Sequence, residues 1–260
     1  MRIGDRSIST VFEAIFRAQH WKAAANMFRV YDDVVDAYAR YLFARGAYPV
    51  SICLRTPLGR ICPSIYSHHD MLTINEIFCR QDYGTSASDR IVVDFGSNIG
   101  ISALYFLTRN NKSFVYCYEP LPVNCARFKK NLEGFEGRYQ LAECAVALRD
   151  GTAQFGFEQT GRYGGIGKNT GSTITVECRN AINILGRILD QHGEIDALKI
   201  DIETLEREIL LAIPEGLLSK IKRIYIEQQI EHNPLSSTHS LRQYGSIAQF
   251  FRNTIPTAKV

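Results

Sequence analysis

The sequence predicts an α/β protein: a parallel sheet with helices on both faces, preceded by a helical segment and a β-hairpin. Two observations carry this. From residue 91 onward short β-prone runs alternate with helical stretches, as in "RIVVDFG", "ISALYFLTR", "SFVYCYE" and "LPVNCARFKKNL". Such alternation gives a parallel sheet, because each connection must cross a face of the sheet before the next strand can align. The first strand also ends abruptly, in "IVVDFGSNIG", where three apolar residues run into an Asp and two glycines four apart. Ligands of open α/β sheets sit at the carboxyl ends of the strands, near the point where strand order reverses, and this stretch is one such end.

Each element has its local reason. Residues 10–45 read as helical: Thr10 and Glu13 have capping-box spacing, and Tyr31, Val34, Val35, Tyr38, Tyr41 and Leu42 recur at helical intervals before Gly46, a plausible stop. Residues 1–48 thus form an N-terminal helical segment and 49–260 the main domain. A hairpin at about 49–66 opens that domain, where two β-prone runs flank "TPLG", with Pro and Gly placed for a tight turn. Asp70 suits the N-cap of a short helix, with His68 and His69 in the loop before it. Pro122 stands in the first turn of its helix. Farther on, "RYQLAECAVA" is a strand, "TITVECRNAINILGRIL" a strand and helix, "DALKIDIE" a strand, "TLEREILLAI" a helix and "IKRIYIEQ" a strand. A last helix is expected over about 239–252, leaving "TIPTAKV", enough for one short strand. The glycine-rich "GRYGGIGKNTGS" misses the phosphate-binding P-loop pattern and reads as a mobile loop, or as a lid over an acceptor.

Composition narrows the class. An apolar share of 45% and a charged share of 22% are those of a soluble globular chain. A formal net charge of +3 with scattered lysines and arginines gives no nucleic-acid footprint. No apolar run is long enough to span a membrane, and "MRIGDRSIST" lacks a signal-peptide core, so a cytoplasmic location is the default. The seven cysteines form no C-x-x-C pair and are expected to be reduced and mostly packed. No regular metal-ligand motif is visible, so no metal site is expected.

The opening loop suggests its ligand. Gly96 and Gly100 let the backbone turn tightly and come close to a small molecule, beside a helix N-terminus expected near Ile99. The dinucleotide fingerprint would need glycines at 98 and 101, where the chain has Asn98 and Ile101. Asp94 suits an ammonium better than a phosphate. Glu119, at the end of the second strand, can accept both ribose hydroxyl protons. Glu143, Cys144 and Ala145 would lie beside an adenine. S-adenosylmethionine has both an amino-acid end and a nucleoside end, and its candidate cradle is Asp94, Gly96, Ser97, Asn98, Gly100, Glu119, Pro120, Glu143, Cys144 and Ala145.

Here the chain resembles a known family. "VVDFGSNIGISALYF", "YEPLPVN" with "KKNL", "CAVALRDG" and "DALKIDIETLEREIL" together resemble the FkbM-type methyltransferases, as do "RTPLGRI" and "DMLTINEIFCRQDY" upstream. The resemblance covers roughly residues 50–230. It implies a class I methyltransferase (Rossmann-like) fold, S-adenosylmethionine as donor and methylation of a hydroxyl, typically of a sugar or a natural product. The family's usual Asp-Ile-Glu-Gly-x-Glu is here Asp201 to Glu206, with Thr204 in place of the glycine. The fold it implies ends in two further strands, for which the chain after the expected last helix is too short.

The acceptor hydroxyl must lose a proton as its new bond forms, so a base is sought near the methyl. Lys199, Asp201 and Glu203 alternate along one strand and share one side of it, with Asp201 nearest the carboxyl end, where the methyl should lie. Lys199 is expected to be structural, and a buried Lys199–Asp201 ion pair is the alternative to a catalytic Asp201. Glu227 ends the next strand and His232 follows on the loop, so the candidate catalytic residues are Asp201, Glu227, Glu203 and His232. The leading expectation is an O-methyltransferase acting on a sugar hydroxyl, for example a deoxysugar of a glycolipid, oligosaccharide or polysaccharide. Alternatives are a polyketide or peptide acceptor, methylated at oxygen or nitrogen, and a non-catalytic S-adenosylmethionine-binding scaffold. A small-molecule or glycan partner is expected, and homo-oligomerisation is left open.

Overall fold

The computed structural model describes residues 2–3, 6–7, 18–158, 164–168 and 171–253, with side chains from residue 23 onward. The short strands β1 (Arg2–Ile3) and β2 (Arg6–Ser7) pair with each other. Thr10, Glu13 and the "TIPTAKV" tail lie outside the described residues, as does the side chain of Trp21. The N-terminal segment forms two helices instead of one, α1 (Ala18–Val30) and α2 (Val34–Phe43). The break has a local cause: Asp33 leaves the helical conformation and caps α2, its carboxylate accepting from the Asp36 amide at 2.9 Å. Both helices bury apolar residues, with Met27, Tyr31 and Ala37 each 1% exposed in the core they share with one face of the main sheet.

The hairpin forms as expected. β3 (Val50–Ser51) pairs with β6 (Ser64–Ile65), and β4 (Leu54–Thr56) with β5 (Gly59–Ile61) around Pro57 and Leu58. The cysteines depart from expectation. Leu54 pairs with Ile61, which sets Cys53 opposite Cys62, and the two form a disulfide with Cα atoms 4.0 Å apart. Counting cysteines cannot reveal a partner that only the hairpin register supplies. Cys79, Cys117, Cys125, Cys144 and Cys178 are free and buried.

Next come α3 (His68–Ile74) and a π-helical stretch, Asn75–Arg80. Ser67, not Asp70, is the N-cap of α3. Asp70 sits at the third helical position and reaches back to accept from the Tyr66 and Ser67 amides at 2.7 and 3.0 Å, completing a capping box. His68 and His69 belong to the first turn of α3 and not to the preceding loop.

The main domain then runs β7 (Ile91–Phe95), α4 (Ile101–Leu107), β8 (Phe114–Tyr118), α5 (Pro122–Asn131) and β9 (Tyr139–Ala142). The segment expected as one strand over 138–147 is two, since β10 (Ala145–Ala147) leaves the main sheet. β10 joins β11 (Gly151–Phe157), β12 (Gly164–Ile166) and β13 (Ser172–Asn180) in a four-stranded satellite sheet of order β10-β13-β11-β12. The chain returns through α6 (Ala181–His192), β14 (Ala197–Ile200), α7 (Glu206–Ala212), α8 (Glu215–Leu218) and β15 (Arg223–Ile226).

The segment expected to be the last helix is a hairpin: β16 (His239–Tyr244) and β17 (Ile247–Arg252), pairing Tyr244 with Ile247. Gly245, at φ +63°, makes the turn that a continuous helix would not allow. β17 runs antiparallel to β15, and the main sheet has seven strands in the order β16-β17-β15-β14-β7-β8-β9. The two closing strands that the sequence reading missed are therefore present within 239–252. Side chains alternate between the two faces: Val92 and Val115 enter the core under α1, α3 and α4, while Val93 and Phe95 enter the core under α6 and α7. The order reverses between β14 and β7, and a cleft opens there at the carboxyl ends of the strands.

Candidate functional site

One cleft gathers most of the expected residues. Gly96, Ser97, Asn98, Glu119, Pro120, Cys144, Ala145, Asp201, Glu203 and Glu227 line it. Its empty volume, open mouth included, is about 1200 Å³, which is room for a nucleoside-sized donor and part of an acceptor.

The floor is a buried charge triad. β14 and β7 pair in parallel with Lys199 opposite Asp94, and the Lys199 ammonium lies 3.0 Å from Asp94 Oδ1 and 3.2 Å from Asp201 Oδ2. It also donates to the Gly96 carbonyl at 2.9 Å, while Ser102 Oγ donates to Asp94 Oδ2 at 2.6 Å. Burial pulls the Lys199 ammonium down, but Asp201 and Asp94 beside it outweigh that and hold it above its ordinary value. Asp94 is 0% exposed and does not line the cleft, so the ammonium it meets belongs to the chain itself. The expectation that it faces a ligand's amino group is thereby corrected.

The two glycines have protein reasons. A Cβ on Gly96, at φ +80°, would stand 1.7 Å from the Asp201 carbonyl oxygen. A Cβ on Gly100, at φ +89°, would stand 2.5 Å from Leu132 and 2.9 Å from Phe128, and Gly100 does not line the cleft. The helix after the loop starts at Ile101 instead of near Ile99. Several loop amides are already engaged: Gly96 and Ser97 both donate to the Tyr118 carbonyl at 3.0 Å, and Asn98 donates to Glu119 Oε2 at 3.0 Å.

Glu119 sits just past the end of β8 and is 5% exposed. Its Oε1 accepts from the Leu121 amide at 3.0 Å and from Asn124 Nδ2 at 3.2 Å. Burial pushes its carboxyl up to about 7, against the lowering effect of these donors. Beside it Cys144 and Ala145 form an apolar wall with Leu121 and Phe155. Glu143 does not join them: it is exposed, pairs with Lys129 at 2.6 Å and points away from the cleft.

The opposite end of the cleft is acidic. β14 ends at Ile200, so Asp201 and Glu203 do not continue one strand as expected. The chain turns there, and Glu203 adopts the left-handed region at φ +72°, sending its carboxylate to Lys168 at 2.9 Å. Ile200 pairs with Ile226, which sets Asp201 beside Glu227 one residue farther along each strand. Asp201's charge, and then burial, raise the Glu227 carboxyl to about 8, with Glu76 and Glu203 adding to the repulsion. Glu227 is exposed at the mouth, where solvent screens part of that repulsion, and the direction stays upward. His232 is exposed on its loop and does not reach the cleft.

Other lining residues escaped the sequence reading. Thr73, Glu76 and Ile77 come from α3 and the π-helical stretch, Asp82 and Tyr83 from the segment after it, and Ser246 and Ile247 from the terminal hairpin. Tyr83 is 5% exposed, its ring stacked on Phe106 at 6.1 Å. Among the described residues no group of three or more His, Cys, Asp or Glu stands close enough to hold a metal ion. No helix among them is long and apolar enough to cross a membrane.

Known proteins share parts of this chain. The synthetase AmbE of Pseudomonas aeruginosa, an AMB antimetabolite synthetase, is 24% identical over 219 residues, 66% of this chain but 10% of AmbE. Methyltransferase 1 of Beauveria bassiana is 22% identical over 175 residues, 58% of this chain and 70% of the relative. A solved FkbM methyltransferase from Methylobacillus flagellatus is 13% identical, with a TM-score of 0.43, covering 71% of this chain and 54% of that one. This chain thus spans a tenth of AmbE and about half of the M. flagellatus chain. The architecture, with its mostly parallel sheet closed by an antiparallel β17, is that of the class I methyltransferases. The family model for the methyltransferase FkbM domain matches residues 94–253, from the buried Asp94 to the end of the terminal hairpin, and the chain belongs to that family.

Proposed function

We propose that this protein is an S-adenosylmethionine-dependent O-methyltransferase acting on a hydroxyl of a sugar. The observation that carries this reading is the division of one cleft. Glu119 and the Cys144–Ala145 wall stand at one end, and the Asp201–Glu227 carboxyl pair at the other.

The residues present fit the donor. Glu119 is a buried carboxylate whose Oε2, accepting one bond from the Asn98 amide, retains a lone pair for a ribose hydroxyl, and the Ala145 wall is apolar enough to pack an adenine. Bound there, S-adenosylmethionine would supply an electrophilic methyl on its sulfonium. The chain's own part is to hold an acceptor oxygen in line and to take its proton. Glu227 is suited to the second task, because its raised carboxyl titrates near the pH at which it must work. Asp201, held by Lys199, orients the acceptor and keeps Glu227 basic. Glu76, at the same end, offers a further carboxylate to a polyhydroxylated acceptor.

The match to an antimetabolite synthetase favours a second reading, in which the acceptor is a peptide or polyketide natural product. Calorimetric titration with S-adenosylhomocysteine and with NAD tests the donor. A methyl-transfer assay against panels of glycans and of hydroxylated peptides, read by mass spectrometry, tests the acceptor. Mass gain on glycans alone supports the first reading, and gain on peptides alone overturns it.

A further inference from the structure

The satellite sheet does not stand apart from the cleft. Its edge strand β12 lies against the loop that follows β14, and Phe155, Gly164 and Ile166 line the cleft from above. Three contacts join the two parts. A Cβ on Gly165 would stand 2.6 Å from Thr204 Cγ2, so the strand's backbone rests on the threonine methyl at the position where the family motif has glycine. Lys168 Nζ lies 2.9 Å from Glu203 Oε2, with the two side chains 27% and 31% exposed. Leu205 packs with Leu121, Ala145 and Phe155 in the small core under the satellite sheet. Glu203 holds a left-handed backbone unusual for its type, a conformation that persists only where its surroundings fix it.

We propose that Lys168–Glu203 and Thr204–Gly165 form a latch that fastens the satellite sheet over the nucleoside end of the donor and slows release of the demethylated product. Lys168, Glu203, Gly165 and Thr204 are then positioning residues: they set how long the nucleoside stays, through β12 and the loop at 201–205. The latch also gives Glu203 a role other than that of a base, since its carboxylate is engaged by Lys168. The proposal rests on the donor reading above.

The test measures S-adenosylhomocysteine association and dissociation rates by stopped flow on the full chain. Lys168→Ala should raise the dissociation rate about three- to tenfold, the scale of a partly exposed ion pair, with association changed less than about twofold. Lys168→Arg keeps the charge and should restore the slow rate. Gly165→Ala should also speed dissociation, because the added methyl meets Thr204. Adding Thr204→Gly to it removes the obstacle and should bring the rate back towards that of the unmodified chain. Dissociation within about twofold of the unmodified chain in both Lys168→Ala and Gly165→Ala, with melting temperatures unchanged, overturns the latch. Should Gly165→Ala fail to fold, the two Lys168 variants decide alone. An unmodified chain that does not bind S-adenosylhomocysteine overturns the donor reading and the latch with it, a result distinct from tight binding with unaltered rates.

Discussion

Asp201 and Glu227 stand side by side because Ile200 and Ile226, the residues before them, are partners on adjacent parallel strands. The Asp201 charge is the first cause of an upward shift of the Glu227 carboxyl. Lys199 lies 3.2 Å from Asp201, and across the cleft end the Glu227 carboxyl is pushed up to about 8 by Asp201 and by burial. In the proposed function Asp201 would orient the acceptor and Glu227 would exchange its proton near neutrality.

The first prediction follows from that asymmetry. The rate of methyl transfer should rise with pH along a limb centred near 8, as Glu227 ionises. Glu227→Gln should remove the limb and lower kcat by about 100- to 10,000-fold, the usual contribution of a general base. Asp201→Asn removes the first cause of the shift, so the limb should move to lower pH. Stability runs the other way. A carboxyl raised in the folded state stabilises the fold fully below its unfolded value near 4.5, and that contribution is lost as pH rises through about 8. A flat profile between pH 6 and 9 in the unmodified chain would place the base elsewhere.

Glu119 gives a second pH signature. Its carboxyl sits near 7 through burial, and its ionised form leaves the remaining lone pair of Oε2 free of a proton to accept from a ribose hydroxyl. S-adenosylhomocysteine affinity should strengthen as pH rises from 6 to 8, with protons released on binding. Glu119→Gln should flatten this dependence, and Glu119→Ala should weaken binding by about 1–3 kcal/mol. Calorimetry in buffers of different ionisation enthalpy reads both effects, and pH-independent affinity with no proton release would remove Glu119 from the ribose.

The thiols supply a third test. Denaturation without reductant should expose five alkylatable cysteines, since Cys79, Cys117, Cys125, Cys144 and Cys178 are free. Adding reductant should raise the count to all seven, through Cys53 and Cys62. Seven alkylated thiols without reductant would mean that this bond is not formed in the protein as isolated.

The sequence made the middle of the fold legible and its edges obscure. β7, α4, β8 and α5 could be read because each carries its own period and boundary, such as Pro122 at the first turn of α5. Residues 239–252 carry apolar side chains at spacings that suit a helix as well as a strand, and only Gly245 and pairing with β15 decide between them. The cleft was half visible for the same reason. Glu119 and Asp201 follow strand ends and are found by counting, whereas Glu76 reaches the cleft through a π-helical stretch that no local spacing announces. Asp94 reads from the sequence as a partner for a ligand's ammonium, whereas in the structure it meets Lys199, on a neighbouring strand that the sequence does not place.

That last correction can be tested directly. Asp94 and Lys199 are both buried, at 0% and 2% exposure, and are bound to each other and to Asp201. Removing one partner from a buried ion pair leaves an uncompensated charge, at a typical cost of about 3–5 kcal/mol. Lys199→Met should therefore lower the stability measured by urea titration by about that amount, with Asp94 and Asp201 left without their shared counter-charge. Asp94→Asn keeps the shape and an acceptor for Ser102, which donates at 2.6 Å, so it should cost less. The double variant should cost less than the sum of the two single variants, because the charges are then removed together. If Asp94 serves the triad, folded Asp94→Asn protein should bind S-adenosylhomocysteine within about threefold of the unmodified chain, less than about 1 kcal/mol. Affinity falling a hundredfold with stability unchanged would return Asp94 to the ligand and make Lys199 a spectator.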